Sequence, residues 1–282
     1  MKAMSYVEFK IRIGPAGWSY TDWEGTVYPP HKSKFDGLSY LASFFDTIEI
    51  NSPFYRIPPV THAKSWVRRV ASNPDFKFTT KVFRGFTHEK SELASADIRA
   101  FRDYLDPLQN ANRLGALLLQ FPWSFKNDEE SRGRLRRVFE AFREYPKALE
   151  VRHSSFQNEE FVQFLEEHDV SWVNVDQPLF DNSVKPADMT TGPIAYARLH
   201  GRNYEKWFAH KESWERYNYL YSKEELQPWA ERIKKMAAKA ETYVITNNHF
   251  RGQAVINAGD LQELVGQQRH IPPQLREVYP ER

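Results

Sequence analysis

The chain contains no cysteine. That absence removes disulfides, thiolate nucleophiles and cysteine-ligated zinc or iron–sulfur centres from consideration, and it agrees with a reducing compartment. No run of roughly 18 consecutive apolar residues occurs, the length needed to cross a bilayer. The amino-terminal MKAMSYVEFKIRIG has no apolar stretch of signal-peptide length. A cytoplasmic location away from membranes is therefore expected. Charge of one sign is lacking too: 39 basic and 37 acidic residues leave a net +2, so no large field is available to draw in a polyanion. The P-loop, the Rossmann glycine pattern, HExxH and GxSxG are all missing, which excludes the chemistries those motifs mark.

What is present is an ordinary globular composition with an excess of aromatics. Of 282 residues, 41% are apolar and 27% charged, while 8 Trp, 14 Tyr and 20 Phe bring the aromatic share to 15%. Such a length buries a real core and is compatible with one large α/β domain or two smaller ones.

The periodicity chooses between them. Strands are expected at Ile11 to Gly14, Thr47 to Asn51, Phe76 to Lys81, Leu114 to Gln120, Ala148 to Arg152, Ser171 to Val175, Ile194 to His200 and Thr242 to Thr246. Helices are expected at Gly37 to Phe45, Thr61 to Ala71, Asp97 to Gln109, Asp128 to Tyr145, Phe156 to His168, Ser222 to Ala240 and Ala254 to Gln267. Ser222 and Glu225 form a capping-box pair at one helix start. The stretches 177–193 and 201–221 are expected to be poor in helix. Eight strands alternating with mostly helical connections favour a single (β/α)8 TIM-type barrel over residues 1–282, with a doubly wound open sheet as the rival.

The strands carry a polar anomaly. In FDTIEINSPFY, Ile48 and Ile50 share one side while Glu49 and Asn51 occupy the other, although barrel interiors are usually apolar. If the apolar alternates pack on the outer helices, the inward set contains Glu49, Asn51, Thr79, Lys81, Gln120, Glu150, Arg152, Asn174, Asp176, Tyr196, Arg198, His200 and Asn247. Most of these lie at the carboxyl ends of the strands, the face where barrel enzymes hold their sites.

Glu49, Glu150 and Asp176 roughly balance Lys81, Arg152 and Arg198, so the alternative is a self-neutralising network that only fills the barrel mouth. A buried ion network stabilises less than apolar packing usually does, which favours function. The candidate catalytic residues are Glu49, Lys81, Glu150, Asp176 and His200. His200 is a candidate proton carrier, because an unperturbed imidazole titrates near neutrality, with a plain hydrogen-bonding core residue as the equal alternative, and Lys81 is a candidate imine-forming nucleophile. A Lys81 salt-bridged between Glu49 and Glu150 and staying charged is the preferred reading. Candidate substrate-binding residues are Trp18, Asn51, Tyr55, Gln120, Arg152, Arg198, Asn247 and Asn248. Trp18, Tyr20, Trp23, Phe54, Tyr55, Trp207 and Tyr219 are expected to divide between pocket rim and loop-anchoring core. A divalent metal held by Glu49, Glu150, Asp176 and His200 is a weaker expectation, because no motif of metal-ligand spacing supports it.

Ordered blocks along nearly the whole chain carry a family resemblance: IRIGPAGWSY with TDWEGTVYPP, FDTIEINSPFYRIP, FKFTTKV, LGALLLQFPWSF, LEVRHSSF, YARLHGR, YNYLYSKEEL and ITNNHFRGQAVINA. In these the chain resembles the YecE-like family, also called domain of unknown function 72. The resemblance implies a TIM-type barrel in a bacterial or archaeal cytoplasm and implies no reaction.

Three functions compete. The first is an enzyme acting on a small polar or anionic substrate by acid/base chemistry, as a hydrolase, lyase or isomerase. The second is a nucleic-acid-binding or processing barrel, suggested by a pI near 8.5, the aromatic loops and Arg132, Arg134, Arg136, Arg137 and Arg143, which also read as a solvated helix face. The third is a non-catalytic receptor for a small ligand.

Overall fold

The computed structural model describes residues 9–30, 35–89, 91–212 and 214–282. The amino-terminal segment read for a signal peptide lies largely outside them. Eight parallel strands run in the order β1-β8-β7-β6-β5-β4-β3-β2: β1 (Ile11–Pro15), β2 (Thr47–Ile50), β3 (Lys77–Lys81), β4 (Leu114–Gln120), β5 (Lys147–Glu150), β6 (Val170–Asp176), β7 (Ile194–Leu199) and β8 (Glu241–Thr246). They form a nearly closed barrel with helices between the strands.

The last seam, between β1 and β2, is held by a bridge between Ala16 and Glu49 and by Gly17 N donating to Glu49 O at 2.8 Å. Gly14 makes that approach feasible, because a Cβ on it would sit 1.9 Å from the Thr47 carbonyl oxygen.

The helices are α1 (Gly37–Leu41), α2 (Val60–Arg69), α3 (Arg84–Thr87), α4 (Ser95–Asn110), α5 (Glu129–Ala141), α6 (Glu159–Glu167), α7 (Lys223–Ala237), α8 (Gln253–Leu264) and α9 (Gln274–Val278). Side-chain caps set several starts: Asp128 accepts from Ser131 N, and Asn158 from Phe161 N. The Asn158 cap explains why α6 begins three residues later than the apolar pattern predicts, Ser154–Phe156 being a separate 3-10 turn. Both bonds of the Ser222–Glu225 capping box are made. No helix bridges β6 and β7, and 201–221 carries only the turn Glu215–Tyr217 among its described residues.

Two apolar bodies result. The larger lies between sheet and helices, and the smaller fills the barrel with Ala16, Ala116, Leu118, Ala148, Val173, Val175, Ile194, Tyr196, Tyr243 and Ile245. The inner body corrects one strand of the expected inward set: on β6, Val173 and Val175 point in, and Asn174 and Asp176 point out. The assumption that apolar alternates always pack outward fails there because β6 is followed by non-helical chain with polar groups to satisfy. Asn174 Nδ2 donates to Met189 O and its Oδ1 accepts from Met189 N, both at 2.9 Å, clasping the 177–193 segment. Among the described residues no helix is long and apolar enough to cross a membrane.

Candidate functional site

Inside the barrel, above its apolar filling, the carboxylates of Glu49 and Glu150 are fully buried. Arg198, next to the carboxyl end of β7, reaches between them: Nη2 donates to Glu49 Oε1 and Nη1 to Glu150 Oε2, each at 2.6 Å. Tyr196, two residues earlier on the same face, donates its hydroxyl to Glu49 Oε2 at 2.9 Å and lies 2.8 Å from Thr79 Oγ1. Arg152 pairs with the remaining Glu150 oxygen and also donates to Gln177 Oε1. Both carboxylates are thus spoken for by guanidinium groups, the arrangement that makes a buried ion tolerable.

The field that results follows from these pairs. Burial pushes the Glu150 carboxyl up, but Arg152 and Arg198 together outweigh it and hold it well below the usual range. His200 is buried beside both arginines, and burial together with Arg152 lowers it to about 3, so the ring is neutral. Its Nδ1 faces Asn247 Nδ2 at 2.9 Å, while Nε2 sits 2.9 Å from Arg152 Nη2 and 3.3 Å from Glu150 Oε1. Because Asn247 Nδ2 can only donate, Nδ1 accepts from it and the proton of the neutral ring sits on Nε2, which donates toward Glu150 and cannot accept from Arg152.

Lys81 departs from expectation. With both glutamates engaged by arginines, it makes no ion pair among the described residues, and its Nζ rests 3.7 Å from the centroid of the Phe54 ring. Burial and the charge of Arg198 outweigh the pull of Glu150 and Glu49 and lower it to about 7. The salt-bridged, permanently charged lysine preferred from the sequence is therefore corrected to an amine that titrates near neutrality. The reason is competition: Arg198 spans both carboxylates with a bidentate fork that a lysine cannot match.

Over this cluster opens a cavity of about 940 Å³ at the carboxyl ends of the strands. Of the sequence candidates, Asn51, Tyr55, Lys81, Gln120, Arg152, Arg198, His200 and Asn247 line it, and Glu49 and Glu150 lie beneath. Asp176, Trp18 and Asn248 do not line it. Asp176 is turned outward and accepts from Arg202 Nε (2.9 Å) and Nη2 (2.6 Å), Tyr221 OH (2.7 Å) and Trp229 Nε1 (2.6 Å). It pins the 201–221 loop, which supplies the cavity wall through Trp207, Phe208, His210, Trp214, Arg216 and Tyr217. Trp18 packs against Trp66 and Phe78, and Asn248 donates to Tyr219 O and Asn257 Oδ1.

The expected four-residue metal set is not brought together, because Asp176 faces away. Among the described residues no three or more His, Asp or Glu side chains are grouped to hold a metal ion.

Sequence reasoning missed Gln177, His88 and His249. Gln177 continues the true inward set of β6, which runs Val173, Val175, Gln177. His88 caps the end of the short helix α3 that follows β3, and His249 sits on the loop just past β8, where a strand period says nothing. Position after a strand's carboxyl end was the available signal. Burial and nearby Lys81 lower His88 to about 4, and burial lowers His249 to about 4, its ring stacked 4.4 Å from Tyr20.

A (β/α)8 barrel with an ionic cluster buried beneath a cavity at the carboxyl ends of its strands is a TIM-type barrel protein with a ligand-sized site on the face such barrels use. The chain belongs to the family described as protein of unknown function DUF72, whose profile matches residues 12–280; the YecE-like sequence blocks are blocks of this family. It is 28% identical to the UPF0759 protein YunF of Bacillus subtilis (strain 168) over 273 residues, 90% of this chain and 94% of YunF. A DUF72 family protein of Thermotoga maritima MSB8 superimposes with a TM-score of 0.82 at 35% identity, over 92% of this chain and 100% of that one. One of Enterococcus faecalis V583 does so with a TM-score of 0.79 at 29% identity, over 92% of this chain and 96% of that one.

Proposed function

We propose that the cavity is the active site of an enzyme that acts on a small anionic substrate by acid/base chemistry, with Lys81 as the group that carries the proton. The observation behind this reading is an imbalance of donors. Arg198 Nε and Gln177 Nε2 are buried without a hydrogen-bond partner among the described residues, and both side chains line the cavity. Lys81 lines the same cavity, and no carboxylate among the described residues pairs with it. Unpaired buried donors are costly and call for an acceptor; a carboxylate or phosphate supplies several. Three cations, Lys81, Arg152 and Arg198, stand against two carboxylates, Glu49 and Glu150, so an anion completes the charge balance when Lys81 is protonated. Glu49 and Glu150, held by arginines, act here as positioning groups, and Lys81, which takes up a proton as the anion binds, is the acid/base group whose titration is matched to neutral pH.

The test has two arms. Calorimetric titration with inorganic phosphate and with oxalate, in two buffers of different ionisation heat, should show proton uptake on binding that vanishes in Lys81→Met. NMR in deuterated water, with a panel of hydroxy acids, oxo acids and sugar phosphates, should then show exchange or turnover that Lys81→Met lowers about 100-fold. Binding with every ligand returned chemically unchanged would favour a receptor. Absence of anion binding would end both readings.

A further inference from the structure

We infer that Lys81 is an imine-forming lysine and that the ligand of this site is a carbonyl compound bearing an anionic group. The inference rests on the acid/base reading of the same cavity and adds a covalent step to it.

The placement of the amine carries the argument. Lys81 ends β3 at the cavity floor, with Nζ against the face of Phe54 and an arginine, not a carboxylate, as its strongest charged influence. Burial and the cationic neighbour Arg198 both favour the unprotonated amine, the form that attacks a carbonyl carbon, and together they outweigh the pull of the Phe54 ring face on the ammonium. Lys147 provides the contrast within the same molecule. It is also buried, at the start of β5, yet it donates to the carbonyls of Phe142 (3.4 Å), Arg143 (3.4 Å) and Tyr145 (3.1 Å) and lies outside the cavity wall. One buried lysine is satisfied by backbone; the other faces the space where a ligand enters.

The side chains of Arg152, Arg198 and Gln177 line the same cavity, the last two with a buried nitrogen that has no partner among the described residues, and provide for the anionic end of the ligand. In the reaction, the Lys81 nitrogen lone pair bonds to the carbonyl carbon and the carbonyl π pair moves onto oxygen. Both protons of the neutral amine then leave with that oxygen as water, giving C=N. Addition of water reverses the step, so it needs no oxidant, reductant or metal.

The full-length protein is incubated at about pH 7.5, where ordinary exposed lysines are protonated, with pyruvate, glyoxylate or pyridoxal 5′-phosphate, reduced with borohydride, digested and mapped by mass spectrometry. A reduced adduct is expected on Lys81 in about ten-fold excess over any other lysine, with Lys147 unlabelled and labelling suppressed by inorganic phosphate. Lys81→Met and Lys81→Arg, shown to be folded by circular dichroism and thermal melting, should lose it. Lys81 left unlabelled by all three probes, or labelled no more than surface lysines, overturns the inference. If proton uptake on phosphate binding still depends on Lys81 in that case, the acid/base reading stands and only the covalent step falls; if it does not, both fall.

Discussion

Replacing Lys81 with methionine should stabilise the protein, and by an amount that depends on pH in a defined way. In the unfolded chain this amine titrates at the ordinary value of 10.5, and in the folded protein at about 7. Between those values the unfolded chain binds a proton that the folded one does not, so the wild-type protein gains stability as pH rises from 7 to 10.5, and below 7 the full cost is present. Each pH unit separating the two titration points is worth about 1.36 kcal/mol, which makes the cost about 4 kcal/mol at pH 7 and about 2 kcal/mol at pH 9. Methionine has a similar length and no charge, so Lys81→Met removes this dependence. Urea denaturation of both proteins at pH 7 and pH 9 measures it, since every other titrating group cancels in the difference. The stabilising effect of the substitution should shrink by about 2 kcal/mol between the two pH values. An effect independent of pH would mean that the amine is paired and ordinary, and would remove the basis for assigning it a proton-transfer role.

Four other outcomes follow from the same geometry. Arg198→Met should cost about 3–5 kcal/mol in denaturation experiments, because it leaves the buried Glu49 carboxylate with no guanidinium partner and Glu150 with Arg152 alone, and Glu49→Gln should cost less than that. Acid should destabilise the protein progressively as pH falls from 6.5 toward 4: His200, His88 and His249 are lowered to about 3, 4 and 4, so the unfolded chain takes up protons that the folded one refuses. Histidine ring signals in NMR should confirm three rings that stay neutral at pH 5.5. Gly14→Ala should fail to fold or lose more than about 3 kcal/mol, since its Cβ collides with the Thr47 carbonyl at the β1–β2 seam; a melting temperature within a few degrees of wild type would contradict that. Asp176→Asn should leave the barrel intact by far-ultraviolet circular dichroism while making the 201–221 loop several-fold more susceptible to limited proteolysis, because Arg202, Tyr221 and Trp229 all converge on that carboxylate.

Strand and helix identity were legible in the sequence because each depends on neighbours a few residues away. The alternation of Ile48, Glu49, Ile50 and Asn51 marks a strand with one polar face wherever it is packed, and the Ser222–Glu225 box marks a helix start from four residues. The polar ends of the strands likewise pointed to the barrel mouth, since period and polarity together say which residues share a side. Two things were decided only when the chain closed on itself. The first is the facing of β6, where Val173, Val175 and Gln177 look inward because the non-helical segment that follows the strand and the 201–221 loop beyond β7 have polar groups that Asn174 and Asp176 satisfy. The second is the partnering of the ions. Composition shows three acids and three bases at the strand ends, but which base meets which acid depends on the angular positions of β2, β5 and β7 around the barrel. Arg198 lies where its fork spans Glu49 and Glu150, and that single geometric fact leaves Lys81 without a carboxylate and makes it the group around which the proposed chemistry turns.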